Sequence, residues 1–118
     1  MQVVIAGGGI GGLAAALAAS RAGCNVRLLE RAATFSEVGA GVQLGPNVTR
    51  VLDAWGLSDA LRSVAAFPAR LQVRSAERGE VLGELPLGQA MAMRYGAPYA
   101  TVHRADLQIG RASWRERV

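Results

Sequence analysis

The residues best suited to chemistry lie near the N-terminus. Gly7-Gly8-Gly9-Ile10-Gly11-Gly12 contains G-x-G-x-x-G at Gly7, Gly9 and Gly12. This spacing suits contact between bare backbone and a pyrophosphate. The first glycine permits a tight turn out of a strand, the second leaves room for the phosphates, and the third lets the next helix pack against that strand. The first helical turn, with Ile10 and Gly11, adds main-chain N–H groups and the positive end of the helix dipole. Glu30 follows Gly9 by 21 positions. A carboxylate there accepts hydrogen bonds from the ribose hydroxyls of an adenosine, and it repels a 2′-phosphate. Taken alone, Glu30 could instead be an exposed strand-end residue paired with Arg31. All of this is binding chemistry, and no catalytic residue is marked. His103, the only histidine, is read as structural at a strand end rather than as a general base. Cys24, the only cysteine, excludes an internal disulfide and a Cys-rich metal site, and reads as a small hydrophobe. No metal ligand set is expected.

These residues need a strand–turn–helix–strand frame, and the pattern supplies one. Gln2 to Ala6 is a β-branched apolar run, expected to be a strand buried on both faces. Ile10 to about Ala22 reads as a helix, with Ile10, Leu13, Ala14, Leu17 and Ala18 on its apolar face and Gly23 as its stop. Asn25 to Glu30 reads as a second strand. Strand, helix and strand within 30 residues imply a right-handed βαβ unit with a parallel sheet. Arg31 to Gln43 is expected to be a loop. Pro46 opens another helix, with Val48, Val51, Leu52 and Trp55 on one face and Gly56 ending it. Ser58 is expected to cap a short helix to about Val64. Arg70 to Ser75 alternates as a half-exposed strand with Leu71 and Val73 on one face. Glu77 to Gly79 turns the chain, and Glu80 to Leu85 pairs back as a hairpin. Tyr99 to His103 is a further apolar stretch. The fold class expected is α/β: a Rossmann-like dinucleotide-binding unit with a parallel sheet plus a partial hairpin region, truncated as a domain.

Composition narrows the partners. Half of the 118 residues are hydrophobic and 19% are charged, which fits a packed core. The net charge of +4 comes from thirteen arginines and no lysine. They are scattered without a basic run or interleaved aromatics, so no nucleic-acid partner is expected. The uncharged run from Val3 to Ala19 is interrupted by five glycines and falls short of the roughly 20 residues that span a bilayer, so no membrane association is expected. A cytoplasmic location fits the lone cysteine. No feature of the sequence sets an oligomeric state.

Beyond the turn, Leu28-Leu29-Glu30-Arg31 and Glu37-Val38-Gly39-Ala40-Gly41-Val42-Gln43-Leu44-Gly45-Pro46-Asn47 resemble the opening of the FAD-dependent aromatic-ring hydroxylases. These are single-component flavoprotein monooxygenases that include salicylate hydroxylase and 3-hydroxybenzoate 6-hydroxylase. Arg94-Tyr95-Gly96-Ala97-Pro98-Tyr99 and His103-Arg104-Ala105-Asp106-Leu107 extend the resemblance, the former toward the hydroxybenzoate branch. It implies FAD as cofactor, NADH or NADPH as transient reductant, and a small phenolic or hydroxybenzoate-type substrate. It places Glu30 and Arg31 at the adenosine ribose, and Ala40, Gly41 and Val42 along the flavin. Arg104 would donate to phosphate or ribityl oxygens, the alternative being an ion pair with Asp106. It also implies that residues 1–107 are the N-terminal part of an FAD-binding domain whose substrate and later cofactor segments lie elsewhere, so the chain alone is expected to be inactive. Residues 109–118 have no helical apolar face and resemble translated sequencing adapter, so the end of the chain, 108–118, is expected to be a non-native tail. Two other readings stay open: part of another FAD-dependent oxidoreductase, and a non-catalytic nucleotide-binding module.

Overall fold

The computed structural model describes residues 1–32 and 40–107. The described residues fall into two compact units, 1–32 and 40 with 104–107, and Gly41–His103. The tail expected at 108–118, and Glu37, Val38 and Gly39, lie outside the described residues.

In the first unit, β1 (Gln2–Ala6) and β2 (Asn25–Leu29) pair in parallel, from Gln2 opposite Asn25 to Ala6 opposite Leu29. The crossover is α1 (Ile10–Arg21). This is the expected βαβ unit. The helix stops as expected: Gly23, at φ +86°, donates its N–H to Ser20 O and Cys24 donates to Ala19 O, which satisfies two end carbonyls. The apolar face differs from the expected one. Leu13 and Ala16 are buried while Ala18 is exposed. A helix written as IGGLAAALAASR is apolar all round, so sequence periodicity alone does not select the covered side.

The strands depart from expectation as well. Both alternate between exposed and half-buried residues rather than being covered on two faces. Ile5 turns toward α1, where its Cγ2 approaches the position of a Cβ at Gly12 to 3.6 Å. Val4, on the opposite face, is 58% exposed. A run of branched apolar residues records readiness for burial, and what covers it is decided by other elements.

In the second unit, β3 (Gly41–Leu44) pairs antiparallel with β6 (Ala100–His103). Residues 41–43, expected in a loop, are therefore a strand, because β6, nearly 60 residues later, supplies its hydrogen bonds. Between them run α2 (Pro46–Ala54), α3 (Ser58–Val64), β4 (Arg70–Arg74), β5 (Val81–Pro86) and α4 (Gln89–Tyr95). Leu44, Leu52, Leu57, Leu61, Ala100 and Val102 are buried, and each buried leucine contributes about 2 kcal/mol. Pro46 opens α2 as expected. Its buried face is Thr49 and Leu52, while Val51 is exposed. Thr49 can occupy the core because its hydroxyl donates to Pro98 O at 2.6 Å. Ser58 does not cap α3: Leu57 holds that position, and the Ser58 hydroxyl donates to Asp53 at 2.5 Å instead.

The hairpin forms as expected, with Leu71 opposite Leu85 and Val73 opposite Gly83. Its apolar face is nevertheless open, with Leu71 at 52% and Val73 at 57% exposure. Helix α4 has no counterpart in the sequence pattern. QAMAMRY is rich in strong helix formers, but only seven residues long it shows no clear period.

Candidate cofactor-binding site

The site starts with three consecutive glycines, a stretch with few side-chain constraints on its backbone. Gly7 adopts φ +106°, which glycine reaches at little cost. Its N–H donates to Leu29 O at 2.7 Å, extending the β1–β2 ladder by one bond. Gly8 then donates to Glu30 Oε2 at 2.5 Å, and Ala32 donates to Glu30 Oε1 at 3.0 Å. The two ends of β1 and β2 thus meet through one carboxylate. An open cleft of about 990 Å³ runs along this junction, with Ala6, Gly7, Leu28, Glu30 and Arg31 in its wall.

The three motif glycines serve different physical ends. A Cβ on Gly12 would lie 1.9 Å from Gly7 O, an impossible contact, so Gly12 is required by the protein itself. Gly9 caps α1 with φ −69°, a conformation open to any residue, and a Cβ built there meets no atom within 4 Å. Gly11 likewise faces open space. The helix has no acidic residue in its first turn and no side-chain cap. Its positive N-terminal end is therefore not neutralised by the helix's own side chains.

Electrostatics favour an ionised Glu30. The main-chain amides of Ala32 and Gly8, with smaller help from the amide and charge of Arg31, hold its carboxyl below the ordinary 4.5 against an opposing effect of burial. Arg31 itself is exposed.

The remaining expected residues fall into two groups. Ala40 and Arg104 are tied together in the first unit, with Arg104 N–H donating to Ala40 O at 3.2 Å. The Arg104 side chain is exposed, and it forms no ion pair with Asp106. Gly41 and Val42 belong to the second unit, opposite His103 and Val102 in the β3–β6 ladder.

Residues 1–111 match the model of a family described as an FAD binding domain. The chain belongs to this FAD-binding domain family. It is 44% identical over 109 residues to a 3-hydroxybenzoate 6-hydroxylase from Polaromonas naphthalenivorans, covering 92% of this chain and 27% of that protein. It is 42% identical over 105 residues to a 6-hydroxynicotinate 3-monooxygenase from Pseudomonas fluorescens, covering 89% and 27%. Among solved structures, Klebsiella pneumoniae HpxO complexed with FAD and uric acid superposes with a TM-score of 0.86 at 26% identity, covering 99% of this chain and 29% of that one. The chain thus spans about 27% of the length of the curated relatives named here.

The FAD-binding domain's ligand fits what the residues provide. Open space at the Cβ positions of Gly9 and Gly11 is a cradle that side chains would fill, and the uncapped helix start suits a diphosphate. Gly8 escaped the sequence reading: it is buried and supplies the N–H that meets Glu30. The motif treats that position as variable, and since every residue except proline carries an N–H, residue type gives no signal of the contact.

Proposed function

We propose that the chain supplies the adenosine-diphosphate half of the FAD site of a flavin-dependent aromatic-ring monooxygenase. The observation carrying this reading is the Gly8–Glu30 junction in a parallel βαβ turn, within a chain of the FAD-binding domain family. Gly9, Ile10 and Gly11 receive the pyrophosphate on a turn that Gly7 and Gly12 shape, and Glu30 and Arg31 bind the adenosine ribose. The family resemblance assigns Ala40, Gly41 and Val42 to the flavin side. The exposed Arg104 guanidinium, unpaired with Asp106, donates to phosphate or ribityl oxygens.

When bound, FAD supplies the redox chemistry that a polypeptide lacks. The protein's part is to bind, orient and exclude water. The reaction is the insertion of one oxygen atom of O₂ into a ring C–H bond of a small phenol or hydroxybenzoate. The second oxygen leaves as water, with two electrons from NADH or NADPH. Similarity to a 3-hydroxybenzoate 6-hydroxylase supports this substrate class. Residues 1–107 form part of that FAD-binding domain. The protein works in the cytoplasm, where nicotinamide reductants are available. No helix among the described residues is long and apolar enough to cross a membrane.

Titration of the purified chain with FAD, ADP and FMN tests the site. FAD and ADP should bind and FMN, which lacks the adenosine and one of the two phosphates, should bind at least roughly tenfold more weakly. Equal binding of FMN, or no binding of ADP, overturns the assignment. The isolated chain should give no substrate-dependent NADH oxidation, while the full-length protein should do so with hydroxybenzoates under O₂.

A further inference from the structure

Glu30 contacts the turn before any ligand is considered. Its Oε2 accepts the Gly8 N–H at 2.5 Å, in a bond spanning 22 residues of sequence. Three successive glycines have the largest conformational freedom to lose on ordering, and they have no side chains of their own to hold them. What holds them to β2 is the Gly7 bond to Leu29 O and the Gly8 bond to Glu30. The second is charge-assisted and so among the stronger kinds of hydrogen bond. An ionised carboxylate offers about four acceptor positions, so the amides of Gly8, Ala32 and Arg31 do not exhaust it.

We propose that Glu30 is a positioning residue for the phosphate-binding turn as well as a ribose ligand. By fixing the Gly8 N–H it pre-orders the bend that brings Gly9 and the first turn of α1 together. A diphosphate then binds without having to order that segment itself. The inference rests on the dinucleotide reading above and adds a second role to a residue already assigned one.

The two roles separate with a ligand that has no ribose hydroxyls. ADP and 2′,3′-dideoxy-ADP are titrated into the full chain and into Glu30→Gln, with binding followed by amide chemical shifts. A residue serving only the ribose leaves dideoxy-ADP binding unchanged on substitution. Simple charge repulsion predicts tighter binding, because a carboxylate near the phosphates has been removed. Turn positioning predicts the opposite sign: Glu30→Gln weakens dideoxy-ADP by roughly tenfold, the scale of one charge-assisted hydrogen bond. The Gly8 amide should also exchange with solvent roughly tenfold faster in ligand-free Glu30→Gln than in the parent chain. If Glu30→Gln does not fold, Glu30→Asp keeps the charge, withdraws the oxygens from Gly8, and should weaken dideoxy-ADP in the same direction. Unchanged or tighter dideoxy-ADP binding overturns the positioning role while leaving the site intact. Failure of the parent chain to bind ADP overturns the dinucleotide reading and this inference with it.

Discussion

Among the described residues, two turns use a positive-φ glycine after a strand, Gly7 at +106° and Gly79 at +71°. The Gly79 turn is held from within. Ser75 Oγ accepts the N–H groups of Glu77 and Arg78 at 3.3 and 3.4 Å, Gly79 N–H donates to Ser75 O, and the Arg74 guanidinium reaches Gly79 O. Every partner lies within a few residues. The Gly7 turn is held from another strand, by Leu29 O and the Glu30 carboxylate. A connecting turn needs only to close, so local bonds suffice. A ligand-binding turn must present its backbone to a guest, and tethering it to the neighbouring strand couples its shape to the rest of the site.

The largest effect expected from this contrast is at Gly12. Gly12→Ala places a methyl within impossible distance of Gly7 O and should destabilise the first unit by about 3 kcal/mol, read by chemical denaturation. Near-neutral stability would show that helix and turn can separate and would break the comparison at its tightest point. Gly9→Ala should do the reverse. No protein atom meets the new Cβ, so stability should change by no more than about 0.5 kcal/mol, whereas ADP affinity should fall roughly tenfold or more. Unaltered affinity would mean that the phosphates do not approach Gly9.

Ser75→Ala removes the side-chain acceptor of the Gly79 turn and should cost about 0.5–1 kcal/mol with no change in ADP binding. A change in binding would show that the two turns communicate. The mildest expectation concerns acid. The Glu30 carboxyl sits below its ordinary 4.5, so its stabilising bonds are fully present above that value and are lost as pH falls through the lower folded value. Following the Gly8 amide shift against pH should give a midpoint below 4.5. A Gly8 midpoint at or above 4.5 would deny that the amides favour the charged form.

The frame of the site was legible because its requirements are local. The glycine spacing, the branched run before it and the helix after it describe one βαβ unit, and parallel pairing put Glu30 next to the turn as the interval implied. The hairpin was legible for the same reason, since alternation and a turn signal lie within one short stretch. Strand β3 was not legible. Gly41-Val-Gln-Leu carries no strand signal strong enough to outweigh its glycine-rich surroundings, and β6 supplies its partner from far along the chain. The exchange of Val51 for Thr49 on the buried face of α2 was equally hidden, because a threonine is welcome in a core only where a carbonyl such as Pro98 O waits for its hydroxyl.

By itself the sequence determined which backbone segments are free of side chains, where a carboxylate follows them, and the α/β order of the elements. Those are properties of residue type and spacing, set by sterics within a few bonds and by the short reach of a helix or strand. Tertiary structure alone decided which side of α1 is covered, that one face of β1 and the apolar face of the hairpin stay open among the described residues, and that Glu30 grips Gly8. Coverage and hydrogen-bond partnership depend on elements distant in the chain, and an amide N–H looks the same in nearly every residue until a fold brings an acceptor to it.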